Sequence, residues 1–303
     1  MTPIQDLKLK RKYGGFLFLA EDARGIPWLN PHRHEALELN LVVKGSVTYV
    51  IGKSRHTFKA GELFWLFPSQ IHQAVERTPD SQYYVASFTP ELLRKNVKTN
   101  RHKALLRKSP PDQITLHCML SPSNLNQACQ LMHAILKDGG DADILNREAG
   151  FGLSPGFRYE HRDSDFLNAV LAHVLLFCWK LQLEAEKPNP PAKLHPSVLK
   201  AITLFREGTA PDSLKELGRL SGASPTYLSR IFKAQLGVSL TEYKNSMRLD
   251  RACQLHKSSM RHMTLSELAY ESGFKSYAQF YKLCRSRYGM DPKALFKNQS
   301  FES

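Results

Sequence analysis

The chain has 303 residues, 42% hydrophobic and 23% charged, a composition that fits two ordinary globular domains and excludes a disordered or fibrous polymer. Its five cysteines (Cys118, Cys129, Cys178, Cys253, Cys284) are odd in number and show no C-x-x-C spacing. That argues against a disulfide framework or a thiolate zinc site and fits a reducing compartment. The net charge of +14 points to an acidic partner, and from His195 to Ser303 alone 17 Lys and Arg against 9 Asp and Glu give +8.

The first stretch, "MTPIQDLKLKRKYGG", is polar and basic. The longest apolar run, near "LAHVLLFCW", is shorter than a bilayer span, so a cytoplasmic chain with no membrane partner is expected. From about residue 14 to 90, segments rich in Val, Tyr, Phe and Leu follow one another: "GGFLFLA", "LELNLVV", "SVTYVI", "ELFWLF" and "YYVASF". Turn signals at Lys44-Gly45, Gly52-Lys53, Ala60-Gly61 and Pro68-Ser69 divide them, which predicts an antiparallel sandwich or barrel. After Thr89 the spacing turns helical in "PELLRKN" and "NLNQACQLMHAILK".

Ser164 to Glu186 reads as one long helix with apolar positions at 167, 170, 171, 174, 175, 178 and 181, a face for internal packing or for the seam of a homodimer. The polar, proline-rich "EKPNPPAK" then predicts a linker at 187–194 between a domain of residues 1–186 and a helical domain of residues 195–303.

The last third contains an imperfect repeat. Leu214, Leu217 and Gly222 recur as Leu265, Leu268 and Gly273, 51 residues later. Ser213-x-x-Glu216 and Thr264-x-x-Glu267 are capping-box patterns that each start a short helix. Gly222 and Gly273 suit the left-handed turn that follows, and Ser224-Pro225 and Ser276 suit the start of a second helix. The grammar is helix, tight turn, helix, twice.

In each second helix one face is apolar: Leu228, Ile231 and Phe232, then Phe280, Leu283 and Cys284. The other presents Thr226, Ser229, Arg230 and Lys233, then Tyr277, Gln279, Lys282 and Arg285. Hydroxyl, amide and cationic side chains near a helix start suit base edges and phosphates in a major groove, so double-stranded DNA is the expected partner.

Residues from about 195 to 297 resemble the C-terminal domain of the AraC/XylS family of bacterial transcription regulators. The resemblance is carried by "LSRIFKAQLGVSLTEY", "MRLDRACQL", "LAYESGF" and "RYGMDPKAL". It implies two helix-turn-helix modules joined by a long helix at about Ser239 to His256. By matching position, base readers would be Thr226, Ser229 and Arg230, then Tyr277, Ala278, Tyr281 and Lys282. Lys282 and Cys284 depart from the Arg and Phe commoner in the family, and Lys lacks the bidentate fork of Arg.

In "PHRHEALELN", His32, His34, Glu38 and Asn40 share strand parity, and His72 follows a turn-bounded strand that could return to the same mouth. Three imidazoles and a carboxylate are suited to one divalent metal ion, with zinc, iron, manganese and nickel all open. The same residues also suit a plain effector pocket. Of Phe64 and Trp65, one faces inward by parity, and Trp65 is expected to line the pocket. The run H-x-H-x3-E-x6-G to Gly45, with Gly61, Pro68 and His72, resembles the two cupin motifs.

The fold class expected is therefore α+β: an N-terminal cupin-like antiparallel β-barrel with helices, followed by an all-α domain of two helix-turn-helix modules. The resemblance implies a transcription regulator, an activator more often than a repressor. A small-molecule effector, such as a sugar, would control it, and RNA polymerase would be a further partner. The competing reading is a metal-dependent cupin enzyme whose helical tail serves packing.

Overall fold

The structure is a computed structural model that describes residues 7, 9–21, 31–110, 115–140, 159–185, 192–258, 263–288 and 290–297. Nine strands, β1 (Gly15–Ala20), β2 (Leu37–Lys44), β3 (Ser46–Ile51), β4 (Ser54–Lys59), β5 (Glu62–Leu66), β6 (His72–Arg77), β7 (Gln82–Phe88), β8 (His117–Met119) and β9 (Ala192–Lys193), form two antiparallel sheets. The larger has the order β1-β7-β2-β5-β8 and the smaller β6-β3-β4-β9.

The expected closed barrel is corrected here: among the described residues no ladder joins the two sheets into a ring. The reason lies in the connections. Gly45 (φ 68°) and Gly61 (φ 90°) adopt left-handed turns between β2 and β3 and between β4 and β5. Each turn carries the chain across to the other sheet, and at Gly45 a β-carbon would meet the Thr78 hydroxyl.

Strand alternation sorts the larger sheet into two faces. Leu39 pairs with Trp65, and Trp65 meets Trp179 edge-on at 5.4 Å, so this face lies under the helix α3 (Ser164–Glu184). Glu38 and Asn40 point the other way, between the sheets, opposite Leu66 and Phe64. Helices α1 (Pro90–Asn96) and α2 (Pro122–Gly139) complete the first domain; each starts on a hydroxyl cap, Thr89 and Ser121, with proline in the first turn.

Leu167, Leu171, Val174, Leu175, Cys178 and Leu181 of α3 are buried against this chain's own sheet and α2. Of the two roles expected for this apolar face, internal packing is the one it takes within the chain. By length and composition alone this helix could cross a membrane, but seven of its residues are buried in the core.

Part of the predicted linker, residues 187–191, lies outside the described residues. Its end is built into the sheet: Ala192 and Lys193 pair with Arg55 and Ser54, and Leu194 is buried. The helices that follow are α4 (Pro196–Arg206), α5 (Leu214–Ser221), α6 (Pro225–Leu236), α7 (Leu240–Ser258), α8 (Leu265–Glu271), α9 (Tyr277–Tyr288) and α10 (Pro292–Lys297).

Caps stand where the repeat puts them. The Ser213 and Ser224 hydroxyls accept from the backbone of Glu216 and Tyr227, and Ser276 accepts from Gln279. Gly222 ends α5 with φ 72°, and Gly273 takes φ 89°. Of the two boxes in the repeat, Thr264 and Glu267 close reciprocally, whereas Glu216 turns to Arg219 at 2.6 Å.

Two apolar clusters hold the helices. Val198, Phe205, Leu228, Phe232, Leu236 and Tyr243 form one, together with Val50 and Val75 from the outer face of the smaller sheet. Leu249, Ala252, Leu268, Phe274, Phe280 and Cys284 form the other.

Candidate functional site

The opening histidines lie where the segment before β2 meets β6. His32 and His72 exchange backbone hydrogen bonds of 3.1 and 3.0 Å, which sets their rings 4.4 Å apart, and His34 stands 5.1 Å from His72. One nitrogen from each of the three rings falls within 4.8 Å of the others. The His34 Nδ1 donates to the Ala36 carbonyl at 2.8 Å and the His72 Nδ1 to the Gln70 carbonyl at 2.9 Å. Both tethers leave Nε2 facing inward, as backbone-tethered metal ligands do.

Glu38 adjoins the cluster through His34, its Oε2 3.0 Å from His34 Nε2 and its Oε1 accepting from the Asn40 amide at 2.7 Å. Burial opposes its charge, but the His34 bond, the neighbouring imidazoles and Asn40 together hold its pKa down to about 2. Burial likewise holds His72 down, to about 4, against the pull of Glu38. Its Nε2 is buried and has no hydrogen-bond partner. An inward lone pair without a donor is the observation that a ligand or ion would answer. Two ligand atoms about 3 Å apart also suit one ion held at roughly 2.1 Å from each. The residues present therefore fit a divalent metal.

Behind the cluster the space between the sheets is polar, then aromatic. Tyr49 donates to Asn40 Oδ1 at 3.4 Å, and Tyr83 and Arg77 lie beside it. Phe64 stacks on Phe58 at 3.7 Å and meets Tyr49 edge-on. The inward ring is Phe64, and the expectation for Trp65 is corrected: it points at α3, because Trp65 is register partner to Leu39 and not to Asn40. Tyr83 went unnoticed in the sequence. Its register partner Val42 has the parity of Glu38 and Asn40, which is the signal that could have found it.

A second surface lies on the helices. On α6, Thr226, Arg230 and Lys233 are exposed and Ser229 is half-buried, while Leu228, Phe232 and Leu236 are buried beneath. Tyr227 also emerges, with the Arg230 guanidinium 5.4 Å from its ring centre. On α9, Ala278, Tyr281 and Lys282 are exposed over buried Phe280 and Cys284, and Tyr277 is half-buried. Gln279 is turned toward the turn and α7, accepting from Lys275 N at 3.4 Å and donating to Asn245 at 3.5 Å.

Two family descriptions match the chain: residues 18–153 match the AraC-like ligand binding domain and residues 217–298 a helix-turn-helix domain. Among curated proteins, an uncharacterized HTH-type transcriptional regulator, YfiF of Bacillus subtilis, is 24% identical over 276 residues, 88% of this chain and 79% of that one. The HTH-type transcriptional regulator GlxA of Rhizobium meliloti is 28% identical over 52% of this chain and 49% of its own length. Of solved structures, ToxT from Vibrio cholerae O395 aligns with 95% of this chain and 99% of its own at 12% identity, with a TM-score of 0.33. The matched families and curated relatives are transcription regulators and not enzymes.

Proposed function

This chain belongs to the AraC/XylS family of transcription regulators, and on that premise we propose that it is a sequence-specific activator switched by a polar small molecule bound between its two sheets. The helix-turn-helix domain implies DNA binding, and the ligand-binding domain implies an effector. The finer assignments are ours. The α5–α6 and α8–α9 pairs are two helix-turn-helix modules; residues 1–186 sense, 187–194 link and 195–303 read. Thr226, Ser229, Arg230 and Lys233 form the first reader, and Tyr277, Ala278, Gln279, Tyr281 and Lys282 the second. RNA polymerase is the protein partner and the cytoplasm the place of action.

One observation carries the reading: an exposed hydroxyl and cation row on α6 sits on a helix fixed from behind by buried Leu228, Phe232 and Leu236. Such a helix can enter a major groove without unpacking. Mapping the sites bound by the chain in cells, followed by promoter-fusion assays, tests it. A set of sites without a shared sequence, or promoters that fall silent when the chain is present, would reject the specific activator.

For the pocket, Glu38, Asn40, Tyr49 and Tyr83 supply buried hydrogen-bonding groups and Phe64 a ring face, a set suited to a sugar or related metabolite. The orphaned His72 Nε2 favours a second element, a divalent metal held by the clustered imidazoles of His32, His34 and His72, with the neighbouring Glu38 as a fourth donor. When bound, it would serve as a Lewis-acid anchor for effector oxygens. Because homodimerisation cannot use the buried face of α3, we place it on the outward side, where Phe166 and Leu183 are exposed. Sedimentation of the full chain with Leu183→Glu should shift a dimer toward monomer.

A further inference from the structure

The two helix pairs share no apolar core. The first cluster takes Leu240 and Tyr243 from α7 and packs Met247 against them, while the second takes Leu249 and Ala252 and packs Cys253. At about 100° of rotation per residue, these two sets lie on nearly opposite sides of α7. Each pair is therefore welded to its own half of one helix, and among the described residues no apolar cluster spans both.

What does span them, among the described residues, is a carboxylate. Asp212, in the loop before α5, accepts from Lys244 Nζ at 2.5 Å and from Arg248 Nη2 at 3.1 Å through Oδ1. Its Oδ2 stands 3.6 Å from Lys275 Nζ, in the turn between α8 and α9. Lys244 also donates to the Pro211 carbonyl at 3.2 Å, so the loop itself is seated on α7. The Lys244 and Arg248 side chains are only 20% and 15% exposed, held by packing before the ion pairs form. Gly273 brings the turn of the second pair onto Arg248, where an added β-carbon would stand 3.6 Å from Nε.

An isolated surface ion pair contributes little, but three cations converging on one anion form a network that restrains direction. We propose that Asp212 is a positioning residue that fixes the angle and spacing between the α6 and α9 readers, and so sets the half-site spacing this protein accepts. The proposal rests on the reading of the two helix pairs as separate DNA readers. Two readers on one face must match successive major grooves about 34 Å apart, and one base pair of slip moves a half-site by about 3.4 Å and a tenth of a turn. A tie between modules penalises that slip.

The test uses the full chain and synthetic duplexes carrying its footprinted operator. The second half-site is kept intact, scrambled, or moved by one base pair in either direction. With Asp212→Asn, the preference for native over shifted spacing should narrow by about two- to fivefold, the scale of an exposed ion pair. Affinity for the scrambled duplex should stay within about twofold. Lys275→Gln, on the other module, should narrow the same ratio, and the double variant should narrow it no further.

An unchanged spacing ratio overturns the proposal. So does a uniform rise on all duplexes, which would mean that removing one negative charge is the whole effect. Additive narrowing in the double variant overturns it as well. If instead scrambling the second half-site leaves wild-type affinity intact, the two-reader premise itself fails, an outcome visible before any variant is made.

Discussion

Replacing Arg230 by Ala separates reading from folding. The guanidinium is exposed and stands over the Tyr227 ring, 5.4 Å from its centre. Losing an exposed cation–π contact costs about 0.5–1 kcal/mol at most, so the thermal midpoint should barely move. In the groove the same side chain can pair with a guanine edge through two donors, and its loss should cost about 1–3 kcal/mol, a five- to 150-fold fall in affinity.

Fluorescence anisotropy on the operator and on single-base variants, each across a salt series, distinguishes the modes. A base contact predicts a relaxed preference at one or two positions with an unchanged salt slope. A phosphate contact predicts a uniform loss on every sequence and a slope lowered by about 0.9. Unchanged affinity and unchanged preference would remove Arg230 from the reader and with it the observation on which the proposed function stands.

His34→Ala should abolish a metal content of about one equivalent, measured by elemental analysis of protein purified without chelator; equal content in both proteins would clear the histidine cluster of metal binding. Gly237 adopts φ 73°, and a β-carbon there would lie 2.8 Å from the Val75 carbonyl, so Gly237→Ala should lower stability by about 1–3 kcal/mol. Calorimetry showing no loss would mean that α6 does not rest on β6 as described. Burial, with a smaller contribution from His117, holds the pKa of His56 down to about 4 from an ordinary 6.5. The unfolded chain then takes up a proton first, so stability is complete above about pH 6.5, is lost as pH falls toward 4, and changes no further below it. The full effect is about 3 kcal/mol, and a His56→Phe variant whose acid denaturation profile matches the parent's would contradict it.

Much of this could be read from the chain. The capping serines and threonines, Pro225 and the turn glycines at 222 and 273 act through their own backbone neighbours, so the helix-turn-helix grammar is local and visible. The runs that became β1, β2, β3, β5 and β7 were equally plain, because these strands are buried along most of their length. β4 and β6, "SRHTFK" and "HQAVER", are polar runs stabilised by pairing with β3, and a search for apolar segments passes over them.

Local sequence determined what each segment is: where helices begin and stop, which residues alternate, and which side chains stand outward on α6. Tertiary structure alone decided which segments meet. The separation into two sheets, the turning of Trp65 toward α3, the docking of Gly237 on β6 and the gathering of Lys244, Arg248 and Lys275 around Asp212 all join residues distant in the chain. Capping and alternation act over one to four residues, whereas these contacts depend on how whole elements pack, and periodicity carries no record of the partner across the gap.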